Sequence, residues 1–468
     1  GVNATANNTT TSTGISITQT GVANISGFNT DGITLTGSNN ADLSAIFGNT
    51  TLTGSSATNG INVTSGDASD VTNTVGNLTI SGAADGATFT ANDSSTLTFT
   101  QSGTGGISGY TNNGINLTSN TNATLNSSIG GITIDGNNTA THGIAISGND
   151  DSSTTATLSG TTITDNTGNG VTVDANNAST VNFTGNSTVI TGNRYGINSY
   201  APDGGSTLNV AVNNSNISSN VSHDGIYFGS AGTGSLTVTN SIIDGNGRYG
   251  INVQAFGTND GATTVNITGT ALEHTSVSDN VSSGIVLSSS GNASLNAESI
   301  DYVTADGNAN GIFGFNSSSA ATGLDITVTN SNFTNNTGLT PSAALNSGIL
   351  IEGQGSSNSV VSVTDSIITG NNHGVFANTI STADVNITVN GGTISGNTIA
   401  QLAANGEIGG TSTSHITVNN PSSLVGDITA QQHGSIKITH DGADIDVINN
   451  SDFTPTTQPV NCSDGSCS

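Results

Sequence analysis

Basic residues are almost missing from this chain. Three Lys and Arg stand against 31 Asp and Glu in 468 residues, a formal net charge of −28. Nucleic-acid binding needs a basic surface, and Arg194, Arg248 and Lys437 cannot supply one. Met and Trp do not occur, and aromatic residues make up 4%. No apolar run approaches the ~18–20 residues of a membrane-spanning helix. No stretch is rich in Leu, Glu, Lys or Ala, which argues against helix bundles and coiled coils. Hydrophobic residues reach only 32%, below the ~45–50% of ordinary globular chains, so one thick core is not expected. The first residue is Gly1 rather than Met, and no charged leader follows it. That start suggests an exported protein whose signal has been removed.

Gly contributes 63 residues, and Asn, Thr and Ser fill most other polar positions. Such tracts often stay disordered, but here they are periodic. A Gly followed by Ile or Val opens an alternating strand at Gly32, Gly60, Gly114, Gly143, Gly170, Gly196, Gly225, Gly250, Gly284, Gly311, Gly348 and Gly374, with Gly86-Ala87 as a degenerate copy. From Gly32 to Gly374 there are 342 residues in 12 steps, or 28.5 per step. The steps from Gly250 and from Gly311 are longer, at 34 and 37 residues. A second signature precedes the anchor: an apolar residue with Asn three positions on, as in Ile134/Asn137, Ile163/Asn166, Ile190/Asn193, Ile217/Asn220, Ile243/Asn246, Val277/Asn280, Phe333/Asn336, Ile368/Asn371 and Ile394/Asn397. Another alternating strand lies between, such as Val181-Asn182-Phe183.

Period-two alternation buries every second side chain, and short runs of Val, Ile and Thr favour strands. Three strands per ~28-residue repeat without a helix describe a parallel β-helix. The expectation is an all-β, right-handed solenoid of about 15 rungs rising ~4.8 Å each. Its spaced Asn side chains should stack and satisfy the turn backbone. The anchor Gly is expected to take up unusual dihedrals at the bend. Residues 1–404 form the repeats, 405–453 narrower closing rungs, and 454–468 a Thr/Pro linker-like tail with a Cys pair.

The phrases Asn-x-x-Gly-Ile-x-Val and Thr-Asn-Ser-x-Ile-x-x-Asn resemble the right-handed parallel β-helix proteins of the pectate-lyase superfold, over about residues 14–400. The Asn/Thr/Ser/Gly surface is most similar to secreted bacterial adhesins and autotransporter passenger domains. The resemblance implies the fold strongly and the function weakly, because this fold carries lyases, hydrolases, tailspikes and adhesins.

Chemistry could reside in a few places. Arg194, His223 and Arg248 each precede the anchor Gly by two residues, so they should share a column, with Tyr195, Asp224 and Tyr249 beside it. Tyr200, Asp203, Tyr227 and Asp244 are near in sequence. The group reads as a glycan-binding or catalytic groove, or as a Tyr-lined turn whose Arg residues are neutralised by Asp. Asp165, Asp244 and Asp279 occupy equivalent turns, where they act as turn formers or as a carboxylate column. Glycosidases need two carboxylates ~5–9.5 Å apart, and no dense acidic knot falls within one repeat. Asp441, Asp444 and Asp446 could ligate Ca²⁺ or form a solvated turn. Cys462 and Cys467 enclose Ser-Asp-Gly-Ser, which suits a small disulfide loop in an oxidising compartment.

The residue between the two inward positions of the anchor strand points outward. That column turns apolar at Val286, Phe313, Leu350 and Phe376. An exposed stripe of this kind implies a partner, unless the long excursions within 252–283 and 313–347 cover it. The middle-strand column (Thr79, Asn182, Asn209, Thr237, Asn266, Asn296, Ser362) is polar throughout. It lacks the regular Thr rows of an ice-binding face. Asn-x-Ser/Thr sequons such as those at Asn3, Asn8, Asn77 and Asn116 follow largely from composition. The sequence thus leads to a non-enzymatic extracellular element without cofactor. Its expected partners are further copies of itself and cell-surface glycans. A polysaccharide lyase, hydrolase or glycan-binding module at the Arg194/His223/Arg248 column is the alternative.

Overall fold

A computed structural model describes all residues except 8–13, 258–260, 339–345, 407–411, 432–433, 441–442, 449–455, 464–465 and 468; at 56–57, 440, 443–446, 448, 456, 459, 461–463 and 466–467 it describes the backbone alone. The described residues form an all-β, right-handed parallel solenoid of about 15 turns without helix. They divide into two compact units, Gly1–Ser222 and His223–Ser468.

In the first unit one turn consists of Val171–Ala175, Thr180–Asn186 and Val189–Thr191. Alternation buries Val171, Val173, Val181, Phe183 and Ile190 and leaves Thr172, Asn182 and Thr184 half-buried on the outside. The strands pair in parallel with their equivalents one repeat away, Ile144 with Val171 and Val171 with Ile197. Anchor residues therefore become vertical neighbours in the core. The second unit repeats this arrangement: Ile285, Ile312, Ile349 and Val375 pair in sequence and are all fully buried.

Stacked amides finish the interior. In the second unit Asn246, Asn280, Asn308, Asn336, Asn371 and Asn397 are buried. The side-chain oxygen of each of the last five accepts both the backbone N–H and the side-chain amide of the Asn before it, at 2.9–3.2 Å. Each side-chain amide from Asn280 onward also donates to a carbonyl of the preceding turn, as Asn308 does to Val277 at 2.9 Å. Gln401 ends the series by accepting from Asn397 at 2.6 Å. In the first unit Asn166 donates to Asn193 and Asn193 to Asn220, while the Tyr110 hydroxyl closes the free end on Asn166 at 2.7 Å.

Two expectations about these motifs are corrected. Asn137 is exposed with φ 48°, outside the buried ladder, whereas Asn308, paired in sequence only with the small Ala305, belongs to it. The anchor glycines do not have positive φ. They are needed for close approach: a Cβ on Gly170 would lie 2.4 Å from Ile190 Cγ2, and one on Gly143 2.3 Å from Ile163 Cγ2. The Gly anchor and the Ile of the second signature are thus two halves of one contact.

The C-terminal end also departs from expectation. Thr413–Asn419 and Ser423–Gln431 continue the parallel stacking. The chain then reverses. Ala443–Ile448 pairs antiparallel with Gly434–His440, and Thr456–Ser463 antiparallel with Ser423–Gln431. Thr456–Ser463, inside the segment expected to be a linker, is a strand. It covers backbone that would otherwise be an open sheet edge, a site of unwanted pairing.

The ladder yields a direct test. Asn308→Ala orphans the Asn280 N–H and removes one of the two acceptors of the Asn280 amide, which keeps Ile243 O; it should destabilise the chain by about 2 kcal/mol, since an orphaned buried group costs ~1–3 kcal/mol. The exposed Asn137→Ala should change stability by less than about 0.5 kcal/mol. Urea unfolding of the two variants compares them.

Candidate functional site

The predicted cationic column is divided between the units. In the first, Arg194 is exposed with its guanidinium 5.7 Å from the Tyr195 ring centroid. Its backbone N–H donates to Gly168 O, and Gly170 donates to Tyr195 O, so both residues are held by the parallel ladder.

The second unit contains the tighter arrangement. Arg248 donates through Nε and Nη2 to the two carboxylate oxygens of Asp224, both at 2.7 Å. Asp224 is fully buried, while the Arg248 side chain is 40% exposed. The carboxylate also accepts from Asn252 Nδ2 at 2.9 Å and from the Tyr249 N–H at 3.3 Å. The Arg248 guanidinium lies 4.7 Å from the Tyr249 ring centroid, within cation–π range. His223 enters through its carbonyl, which accepts the Arg248 N–H. Tyr227 donates its hydroxyl to Gln254 at 3.2 Å. Asn252 sits one turn from Tyr227, and its bond to Asp224 depends on the register of neighbouring turns.

Chemically this is a clamp. Four hydrogen bonds occupy the carboxylate of Asp224. The bidentate fork and the Tyr249 ring constrain Arg248 on two sides. The geometry matches the sequence alternative in which Asp neutralises Arg within a Tyr-lined turn.

The carboxylates of the equivalent turns are structural. Asp165 and Asp279 have φ of 56° and 54°. A Cβ on Gly192 would lie 2.4 Å from Asp165 Oδ1, and one on Gly307 2.5 Å from Asp279 Oδ1, so each Asp packs under a glycine of the next turn. Asp244 accepts from Ser276 Oγ and the Ser278 N–H. Asp203 caps its loop through Asn177, Gly205 and Ser206. Among the described residues no three His, Cys, Asp or Glu side chains gather as a metal site. Asp441 and the side chains of Asp444 and Asp446 lie outside the described residues, as do the thiols of Cys462 and Cys467. The backbones of those two cysteines face each other across an antiparallel pair.

The apolar outward column is corrected as well. Val286, Leu350 and Phe376 are only 6%, 4% and 8% exposed, and Phe313 is half-buried. The parallel register stacks Val286, Phe313, Leu350, Phe376 and Ala403 one upon another. Leu350, Phe376, Ala400 and Ala403 form a small external core with Phe313 packed against it. The stripe is thus covered rather than open surface.

One titratable residue escaped the sequence reading. Asp174 stands at an outward position inside a strand, between Ser147 and Tyr200 on the adjacent turns. Most other Asp residues mark turns, and that contrast was the available signal. Burial pushes its carboxyl from the ordinary 3.8 up to about 6.

Two outcomes follow from these groups. Arg248→Ala, which strands the buried Asp224 charge, should cost about 2–3 kcal/mol, and adding Asp224→Asn should recover most of it; a thermal-unfolding cycle measures both. Because the folded Asp174 binds its proton more tightly than the unfolded chain, its contribution to stability is complete below pH ~4 and lost as pH rises through about 6. Asp174→Asn should therefore be more stable than the parent at pH 7 and equal to it at pH ~4 in urea titrations.

Comparison with known proteins finds no matching family model, no matching curated protein and no matching solved structure.

Proposed function

We propose that the chain is an exported, non-enzymatic structural or adhesive element of a cell surface, acting through its solenoid and through association with further copies of itself. The observation that carries this reading is that so many of its polar groups bond from one turn to the next. The amide ladder, the Arg248–Asp224 clamp and the turn carboxylates are engaged in holding one turn to the next. The outside continues the pattern, with Asn209 donating to Asn182 at 2.8 Å and Asn120, Asn149 and Asn176 each donating to an Asn one turn away. With three basic residues in all, the chain presents few sites to a trypsin-like protease. A disulfide between Cys462 and Cys467 would suit the same exported setting. The buried column at Val286, Leu350 and Phe376 is not assigned as the self-association contact.

Asp174 favours a second reading, in which the outer face processes glycans. A carboxyl raised to about 6 keeps its proton in mildly acidic solution, where it can act as a general acid, and Tyr200 neighbours it one turn on.

Sedimentation of the purified chain over a range of concentrations, with electron microscopy of the same samples, tests the proposal. Concentration-dependent multimers or filaments are the expected result. A strict monomer that releases reducing ends or unsaturated products from neutral or acidic glycans, with turnover lost in Asp174→Asn, would favour the second reading instead.

A further inference from the structure

Six consecutive turns of the first unit present one sheet face built from Asp70–Val75, Thr96–Gln101, Thr124–Gly130, Ser153–Ser159, Thr180–Asn186 and Thr207–Asn213. The five parallel pairings between them run without a register shift. Outward side chains therefore fall into three straight rows. One row is Thr74, Thr100, Ser128, Thr157, Thr184 and Ala211. Neighbours in a row stand ~4.8 Å apart, and the rows lie ~6.6 Å apart, twice the rise per residue. Six strands with three outward positions each hold eleven Thr, three Asn and two Ser, all exposed or half-buried; Asp70 and Ala211, in the first and last turns, are the exceptions. The whole chain has 75 Thr in 468 residues, so this face is several times richer in Thr than composition requires.

The polar column read from the sequence is corrected here. It followed the middle row through Asn182 and Asn209, and it included Thr79, which pairs instead with Thr51 and Gly106 on another strand set. Rows richer in Thr lie on either side. Among the described residues, none of the eleven Thr hydroxyls on this face bonds within the chain. Thr154, which points inward from the same sheet, does bond, to Ser119 at 2.6 Å. The outward hydroxyls are left to water, and β-branching confines each to few rotamers. No cation stands among the outward residues to hold an anion, and no aromatic ring to stack on a sugar.

We infer that this face binds ice. Rows of methyl and hydroxyl groups at fixed spacing hold the adjoining water at that spacing. The oxygen atoms on the prism face of ice repeat in two perpendicular directions at intervals close to the strand separation and to twice the rise per residue. Water on the rows is thus already near lattice positions and joins a growing crystal. Six turns cover ~24 Å along the stack, so several lattice repeats are matched at once. The second unit lacks such an array. Its corresponding pairings shift register beside Val265 and Ala297, and Asp325, Val360 and His415 interrupt its outward rows. The inference is independent of self-association, because it uses one face of one unit.

The test grows ice slowly from a solution of the full chain and measures by quantitative gel how much enters the ice, while microscopy follows crystal shape and coarsening. The chain should be taken up, facet the crystals and arrest their coarsening. Thr157→Tyr, which raises a ring in the middle of the array, should abolish uptake with circular dichroism unchanged. Thr98→Tyr is the second variant should the first misfold. Thr327→Tyr, on the second unit, should keep the uptake of the parent. Microcrystalline cellulose is the comparator. The inference is overturned if ice excludes the chain, if the folded Thr157→Tyr or Thr98→Tyr is taken up like the parent, if Thr327→Tyr loses uptake equally, or if the array variants lose a binding to cellulose that ice does not share.

Discussion

In-register parallel stacking is the constraint on which everything else in this molecule depends. Each strand hydrogen-bonds to the strand one repeat earlier and one repeat later, so a residue's nearest neighbours are its own counterparts. A polar side chain inside such a stack survives only if its counterpart can serve as partner. Asn meets this requirement in both directions, because its amide donates and its oxygen accepts. The run from Asn246 through Asn397 therefore behaves as one extended hydrogen-bonded chain, closed by Gln401. Tyr110 plays the corresponding closing role on Asn166 in the first unit.

The same constraint governs the few charges. In a chain with so little positive charge, a buried carboxylate can rarely find a cation. Asp224 is the described exception, and it holds Arg248 with the assistance of Asn252 and Tyr249. Asp165, Asp279 and Asp365 are placed in left-handed turns beneath glycines. Asp174, between Ser147 and Tyr200 inside a sheet, instead has its carboxyl shifted by burial. Outside the core, polar residues follow the inner logic, with Asn bonding to Asn across turns.

A stack must also end, and its ending breaks the repeat. Beyond Ser423–Gln431 the chain folds back antiparallel, so backbone that would have continued the ladder is covered by the same molecule. A cavity beside Phe376 and His373 lies where regular turns give way to this closure. Counterpart residues no longer match there: Ser347, His373 and Ala400 occupy one column. His373 Nδ1 has neither of those neighbours as a partner.

Strand alternation, the ~28-residue spacing and the Asn column were legible in the sequence because each is local and recurs a dozen times. Ile144, Val171 and Ile197 were recognisable as stacked core from spacing alone, and the tie between Arg248 and an acid was foreseeable from their adjacent columns. Other features depend on distances between turns that no single repeat records. Only the tertiary structure decided that the anchor glycines make room for Ile163 or Ile190 rather than supply a left-handed bend. It alone placed Asn308 in the ladder and Asn137 outside it, converted the apolar column into a covered external core, and turned the Pro-bearing tail into an edge strand. The physical reason is that periodicity specifies which residues become neighbours, whereas burial and pairing depend on how closely the turns approach and where the stack stops.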